Sequence, residues 1–212
     1  MSNPDSFIDE VTEEVRRDKL FALFRKWGWV GVLLVVVIVG GAAVNEFLKA
    51  REQRQAQATG DAVLAAQDAD GAEARLAALD GVAAEGDAAA VIGLIKAAEA
   101  EAPERADELL AAIESDASFP ALYRDLATLK RVMLPGSPMT ADEKVAALDP
   151  LLGPGAPFRV LAEEQLALAE IEAGDAEAAL ARLNALMDDA EAGDSLRERA
   201  SQLIVALGGT VE

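Results

Sequence analysis

Residues 160–188 read VLAEEQLALAEIEAGDAEAALARLNALMD. Leucine and alanine recur every three or four positions on both sides of Gly174-Asp175, the spacing of an apolar face on an α-helix. The two residues in the middle are a stop and a start. Glycine suits the left-handed residue after a helix end, and aspartate suits the N-cap of the next helix. The stretch therefore predicts two helices folded back on one another. Small Ala167 falls at the close-packing point of the first helix. Ala179 and Leu183 fall at the buried points of the second.

The same signals recur on either side. Apolar stripes run through Val91, Leu94, Ile95 and Ala98; through Ala106, Leu109, Leu110 and Ile113; and through Leu122, Leu126, Leu129 and Met133. Others follow at Ala176, Ala179, Leu180, Leu183 and Met187, and at Leu196, Ala200, Leu203 and Leu207. Gly86-Asp87 and Gly193-Asp194 repeat the stop-and-start pair. Thr140 to Glu143 is a capping box, and Pro103, Pro120 and Pro157 sit where helix starts tolerate a missing N–H. Pro135–Pro138 and Gly153–Pro157 read as loops. Hairpins starting at Asp87, Pro120, Pro157 and Ser195 are 33, 37 and 38 residues apart, close to the ~34-residue period of tetratricopeptide repeats. The expected fold is all-α: a degenerate, tetratricopeptide-like (TPR-like) helical-hairpin solenoid over residues 56–208, with a tail at 209–212. An ordinary antiparallel bundle is the rival.

Upstream the character changes. Trp27 to Val44, WGWVGVLLVVVIVGGAAV, holds no charged residue. As a helix it spans ~27 Å at ~1.5 Å per residue, against ~30 Å for the hydrocarbon core of a bilayer. Phe47 and Leu48 extend it. Both tryptophans, Trp27 and Trp29, stand at its start, where indole favours the membrane interface. Residues 27–48 are thus expected to be a transmembrane anchor, followed by a stalk at 49–55. A cleaved signal peptide is the rival, since Gly41 and Ala43 would suit a signal peptidase. The 26-residue charged region ahead and the length of the run favour an uncleaved anchor. In residues 1–26, Phe7, Ile8, Val11 and Val15 fall on one face of an amphipathic cytoplasmic helix.

Net charge is −19, from 38 acids and 19 bases. This disfavours nucleic acid and anionic membrane surfaces as ligands. The chain has no cysteine and no histidine, so it forms no disulfide and cannot run Ser-His-Asp or Cys-His chemistry. No phosphate-binding loop is present, because Gly153-Pro-Gly155 lacks a following Lys-Ser/Thr. Paired carboxylates such as Glu163-Glu164 and Asp188-Asp189 read as solvated helix faces in so acidic a chain. No enzymatic activity, cofactor or metal is expected. The candidate peptide-binding residues are cations on the first helices of the hairpins: Lys96, Arg124, Arg131 and Arg159. They would form a basic strip able to meet a carboxylate, unless neighbouring acids pair with them.

A short cytoplasmic segment, one uncleaved helix and a degenerate periplasmic repeat domain resemble the ancillary subunit family of the bacterial Sec translocon. The resemblance is sharpest in residues 165–186, QLALAEIEAGDAEAALARLNAL. The chain departs from that family at its end, where Leu196–Leu207 gives one further helix without a partner. The resemblance implies association with the SecYEG channel and periplasmic chaperones in protein export or folding. It also implies a single-pass inner-membrane protein with its C-terminal domain in the periplasm. The alternative is an accessory subunit of another inner-membrane assembly, docking through its N-terminal segment and anchor. An enzyme or small-molecule binder is the weakest reading, given the missing histidine and cysteine.

Five bases precede the run, and Lys49, Arg51 and Arg54 follow it closely. This bias predicts a cytoplasmic N-terminus. Protease added to spheroplasts should digest the chain after Asn45 and spare residues 1–26. A mature N-terminus near Val44 would overturn the anchor.

Overall fold

No proline occurs between Pro4 and Gln67 to break a helix, and the computed structural model carries one helix, α1 (Pro4–Gln67), through that stretch. The structure describes residues 4–210, with side chains from Arg25 onward except Gly28. The face of Phe7, Ile8, Val11 and Val15 lies outside the described side chains. After α1 come α2 (Ala72–Asp80), α3 (Gly86–Glu99), α4 (Pro103–Ser115), α5 (Ala121–Val132) and α6 (Ala141–Leu148). A 3-10 turn at Asp149–Leu152 leads to α7 (Arg159–Glu172), α8 (Ala176–Asp188) and α9 (Asp194–Ala206). The chain is 77% helical, and the described residues contain no strand.

It divides into two units, Met1–Ala58 and Thr59–Glu212. In the second, each helix from α2 to α9 packs on the next, and α3 also touches α5 as α7 touches α9. Alternate helices α3, α5, α7 and α9 start at Gly86, Ala121, Arg159 and Asp194, spacings of 35, 38 and 35 residues.

The apolar interior is four clusters in chain order. Ala66, Leu79 and Ile92 join the end of α1 to α2 and α3. Ala97, Leu110, Ile113 and Ala127 join α3, α4 and α5. Leu129, Val132, Leu148, Leu151, Ala162 and Leu166 join α5, α6, the 3-10 turn and α7. Ala167, Leu183, Leu186, Leu196, Ala200 and Ile204 join α7, α8 and α9. Helices α3, α5 and α7 thus each serve two clusters. A helix buried on two sides has neighbours close to its axis, and alanine is the side chain that fits there. Ala90, Ala127, Ala162 and Ala167 are all 0% exposed.

The expected turn after α7 is present. Gly174 has φ 85°, and the Asp175 carboxylate accepts from the Ala178 N–H at 3.0 Å. The capping box is also formed: the Thr140 N–H donates to Glu143 Oε2 at 2.8 Å, and the Glu143 N–H donates to Thr140 Oγ1 at 3.3 Å. Two other stop-and-start pairs differ from expectation. Gly86 is left-handed but heads α3, with Glu85 as N-cap and Asp87 inside the first turn. Gly193 is itself the N-cap of α9, at φ −73°, and Asp194 is the first helical residue. There the carboxylate acts on the helix dipole instead of capping the end.

Two stripes are also shifted. On α3 the buried residues are Ala90, Ile92 and Ala97, whereas Val91 is exposed. On α5 they are Ala127, Thr128, Leu129 and Val132, whereas Leu122 and Met133 are exposed. The stripes on α4 and α9 bury through Leu110 and Ile113 and through Leu196 and Ala200, and that on α8 through Ala179 and Leu183, with Ala176 at its start exposed.

Ala179 is 0% exposed. Ala179→Glu should cost roughly 3 kcal/mol or more, by placing an unpaired charge in a dry contact. The same change at exposed Ala176, in the first turn of α8, should shift stability by no more than about 0.5 kcal/mol. Thermal melts of the two variants test the packing directly.

Candidate functional site

Two features stand out, one in each unit. In the first, every large apolar side chain from Val32 to Val39 is at least half exposed, as are Trp27 and Trp29. Burial of such side chains is worth roughly 1.5–3 kcal/mol each, so water is a poor solvent for this face. Arg25 and Lys26 lie before it; Lys49, Arg51 and Arg54 lie after it, all exposed. The helix is long and apolar enough to cross a membrane.

In the second unit the charged side chains tie helices together. Arg75 on α2 meets Glu99 on α3 at 2.6 Å, and Lys96 on α3 pairs back to Asp80 on α2. Arg131 on α5 grips Asp107 on α4 through two N–H donors at 2.8 and 3.1 Å and reaches Glu114. Lys144 on α6 meets Glu172 on α7 at 2.5 Å. Arg159 on α7 meets Asp189 and Glu191, just past α8, at 2.7 Å each. Arg182 on α8 joins Glu163 and Glu170 of α7.

Of the four candidate peptide-binding cations, Lys96, Arg131 and Arg159 are therefore already paired. Arg124 makes no ion pair among the described residues, and its Nε is buried without a hydrogen-bond partner. The structure does not bring the four together as a row of unpaired charge.

The acid pairs also differ from their sequence reading. Glu164 is 5% exposed. Its carboxylate accepts from Arg199 Nε at 2.5 Å and Arg199 Nη2 at 2.7 Å, linking α7 to α9. Glu163 is held by Arg182, and Asp189 by Arg159, while Asp188 is exposed. Glu163, Glu164 and Asp189 are thus cross-helix partners, and Asp188 alone keeps to the solvated reading. Sequence spacing misses this because the partners lie on different helices.

Hydrogen bonding shifts several ionisations. Arg159 beside it, then the Glu191 N–H, hold the Asp189 carboxyl below the ordinary carboxylate range. The Thr140 backbone N–H and hydroxyl do the same for Glu143. Arg131 is held more firmly protonated, chiefly by Asp107.

Several grooves open on this unit, and two of them bear on its charged and apolar side chains. One, of about 460 Å³, lies between α7 and α8 and is lined by the paired residues Arg159, Glu163, Glu170 and Arg182. The other, of about 280 Å³, lies over α3, α4 and α5 and is mostly apolar. No group of three or more acidic side chains suited to a metal ion occurs among the described residues. The class these features define is an all-helical protein with one long, exposed apolar helix and a unit of consecutively packed helices. Compared with protein-family models, curated proteins and solved structures, the chain has no match.

Arg199→Ala should leave the buried Glu164 carboxylate without its partner. The cost should be about 1–3 kcal/mol, below the ~3–5 of a fully buried pair because Arg199 is half exposed. Adding Glu164→Gln should recover part of that loss in denaturant titrations. For Asp189 the folded form favours the ionised carboxyl. Its contribution is fully present above the ordinary value of ~3.9 and is lost as pH falls through the lowered folded value. Asp189→Asn should flatten the melting temperature against pH below about pH 4.

Proposed function

We propose that this chain is a membrane-anchored protein–protein interaction scaffold. It holds a TPR-like hairpin unit at a membrane surface through residues 27–48. The observation that carries the reading is α1, which bears the exposed apolar run and ends in the first cluster of the helical unit, at Ala66. A helix with that run needs a hydrocarbon environment, and the hairpins continue directly from it.

The repeat character draws support from the chain of clusters. Each helix from α2 to α9 packs on the next, and the starts of α3, α5, α7 and α9 recur at 35 to 38 residues. Those are the traits of a solenoid. Repeat units of this kind work through their surface. The resemblance to the ancillary Sec translocon family suggests the setting: an inner-membrane anchor, a periplasmic repeat domain, and SecYEG and periplasmic chaperones as partners. The basic strip is not carried forward, because three of its four cations are neutralised within the unit.

The alternative, docking through the N-terminal segment to another membrane assembly, is favoured by the unbroken course of α1 from Pro4 into the apolar run. Deleting residues 1–26 separates the two. A scaffold acting through its helical unit should keep its crosslinked partners. A subunit docked by its N-terminus should lose them. Partner contacts by the helical unit should persist through moderate salt, because buried apolar area is not screened as charge attraction is. Complete loss at moderate salt in a crosslinking series would reject the scaffold.

A further inference from the structure

The apolar groove over α3, α4 and α5 has a floor of Ala97 and Leu110, and Leu94, Met133 and Leu134 around it. Met133 is 51% exposed. Leu94 and Met133, one from each of the shifted stripes on α3 and α5, both line this groove. At Met133 the chain itself leaves apolar groove surface uncovered.

Lys130 on α5 also lines the groove. Thr59–Glu212 contains eleven bases, and nine of them are in ion pairs with acids of the same unit. Among the described residues the two without an acid partner are Arg124 and Lys130, both on α5. The Arg124 Nε is buried, whereas Lys130 is exposed at the groove. In a unit where acids far outnumber bases, an exposed lysine with no acid partner beside an uncovered apolar groove is a distinctive pairing. Its complement is an apolar side chain with a carboxylate next to it.

We propose that this groove docks an extended segment of a partner protein, taking an apolar side chain against Leu94 and Met133 while an adjacent carboxylate meets Lys130. The proposal rests on the scaffold reading above and specifies its contact. The excess of acids on the unit disfavours an acidic segment away from Lys130. Attachment at Lys130 is therefore selective, not a general charge attraction.

The test uses the full chain in nanodiscs of zwitterionic lipid. The probe is an acetylated, amidated peptide, Gly-Ser-Leu-Asp-Leu-Ser-Gly, carrying an uncharged dye, with its Asn counterpart as control. Fluorescence anisotropy should show the Asp peptide binding about two- to fivefold tighter at 0.1 M salt, the range of a partly exposed ion pair. Lys130→Met should abolish that preference. Met133→Glu should weaken both peptides at least about tenfold, since it puts a charge where an apolar side chain docks. Both positions are exposed, and circular dichroism should show unchanged helix content. Absence of binding by the wild-type chain, equal affinity for the two peptides, or a preference that survives Lys130→Met would each overturn the proposal. A photo-crosslinker replacing Met133 in native membranes separates the two levels. Adducts elsewhere on the unit but none at Met133 would remove the groove and leave the scaffold. No adducts at any position would remove the scaffold as well.

Discussion

Close approach of helices through alanine is the constraint on which the helical unit depends. Helices α3, α5 and α7 each lie between two apolar clusters, so they are packed on opposite sides. Helix axes can come within about 8 Å only where the intervening side chains are small. Alanine meets that requirement without glycine's loss of helix propensity, which runs to ~1 kcal/mol per residue. Ala162 and Ala167 show the consequence on one helix: both are fully buried, and they face different clusters. At Gly93 the spacing is tighter still, since an added Cβ would lie 2.9 Å from Ile113 Cδ1.

Small contacts supply little apolar area, and the ion pairs act beside them. The bridges cross from α2 to α3, α4 to α5, α6 to α7, α7 to α8 and α7 to α9. Most are partly exposed, where a pair is worth ~0.2–1 kcal/mol. Their larger effect is on register. An Arg131 that must reach Asp107 and Glu114 at once fixes how far α5 slides along α4. The acidic composition has a structural side as well as a solubility one, because many of the acids stand opposite an arginine on a neighbouring helix.

Local chemistry made much of this fold readable from sequence. Gly174-Asp175, the Thr140–Glu143 box and the periodic leucines of residues 160–188 announce their own geometry within a few residues. The uncharged run from Trp27 to Val44 announces its exposure equally well. What escaped was set by distant parts of the chain. The spacing of Val91 with Leu94, Ile95 and Ala98 predicts core, yet Ala90 beside it is the buried residue, because packing on two sides selects by size before hydrophobicity. Met133 looked like core and is groove wall for the same reason. Glu164 read as solvated because Arg199, its partner, is 35 residues away. Pairing across helices also decided the four candidate cations, since only their three-dimensional neighbours determine which charge is left over.

The serial arrangement of clusters also bears on how the unit is made. No cluster joins residues from the two ends of the unit; each is assembled from a short, continuous part of the chain. Contacts of low sequence separation give fast folding, because little loop entropy is lost before they form. A polypeptide emerging N-terminus first can therefore close one cluster while the next is still being delivered. The exposed flank of each unfinished hairpin is covered by the helix that follows. With α9 docked on Ala167 and Leu183, the apolar flank left by the α7–α8 hairpin is covered as well.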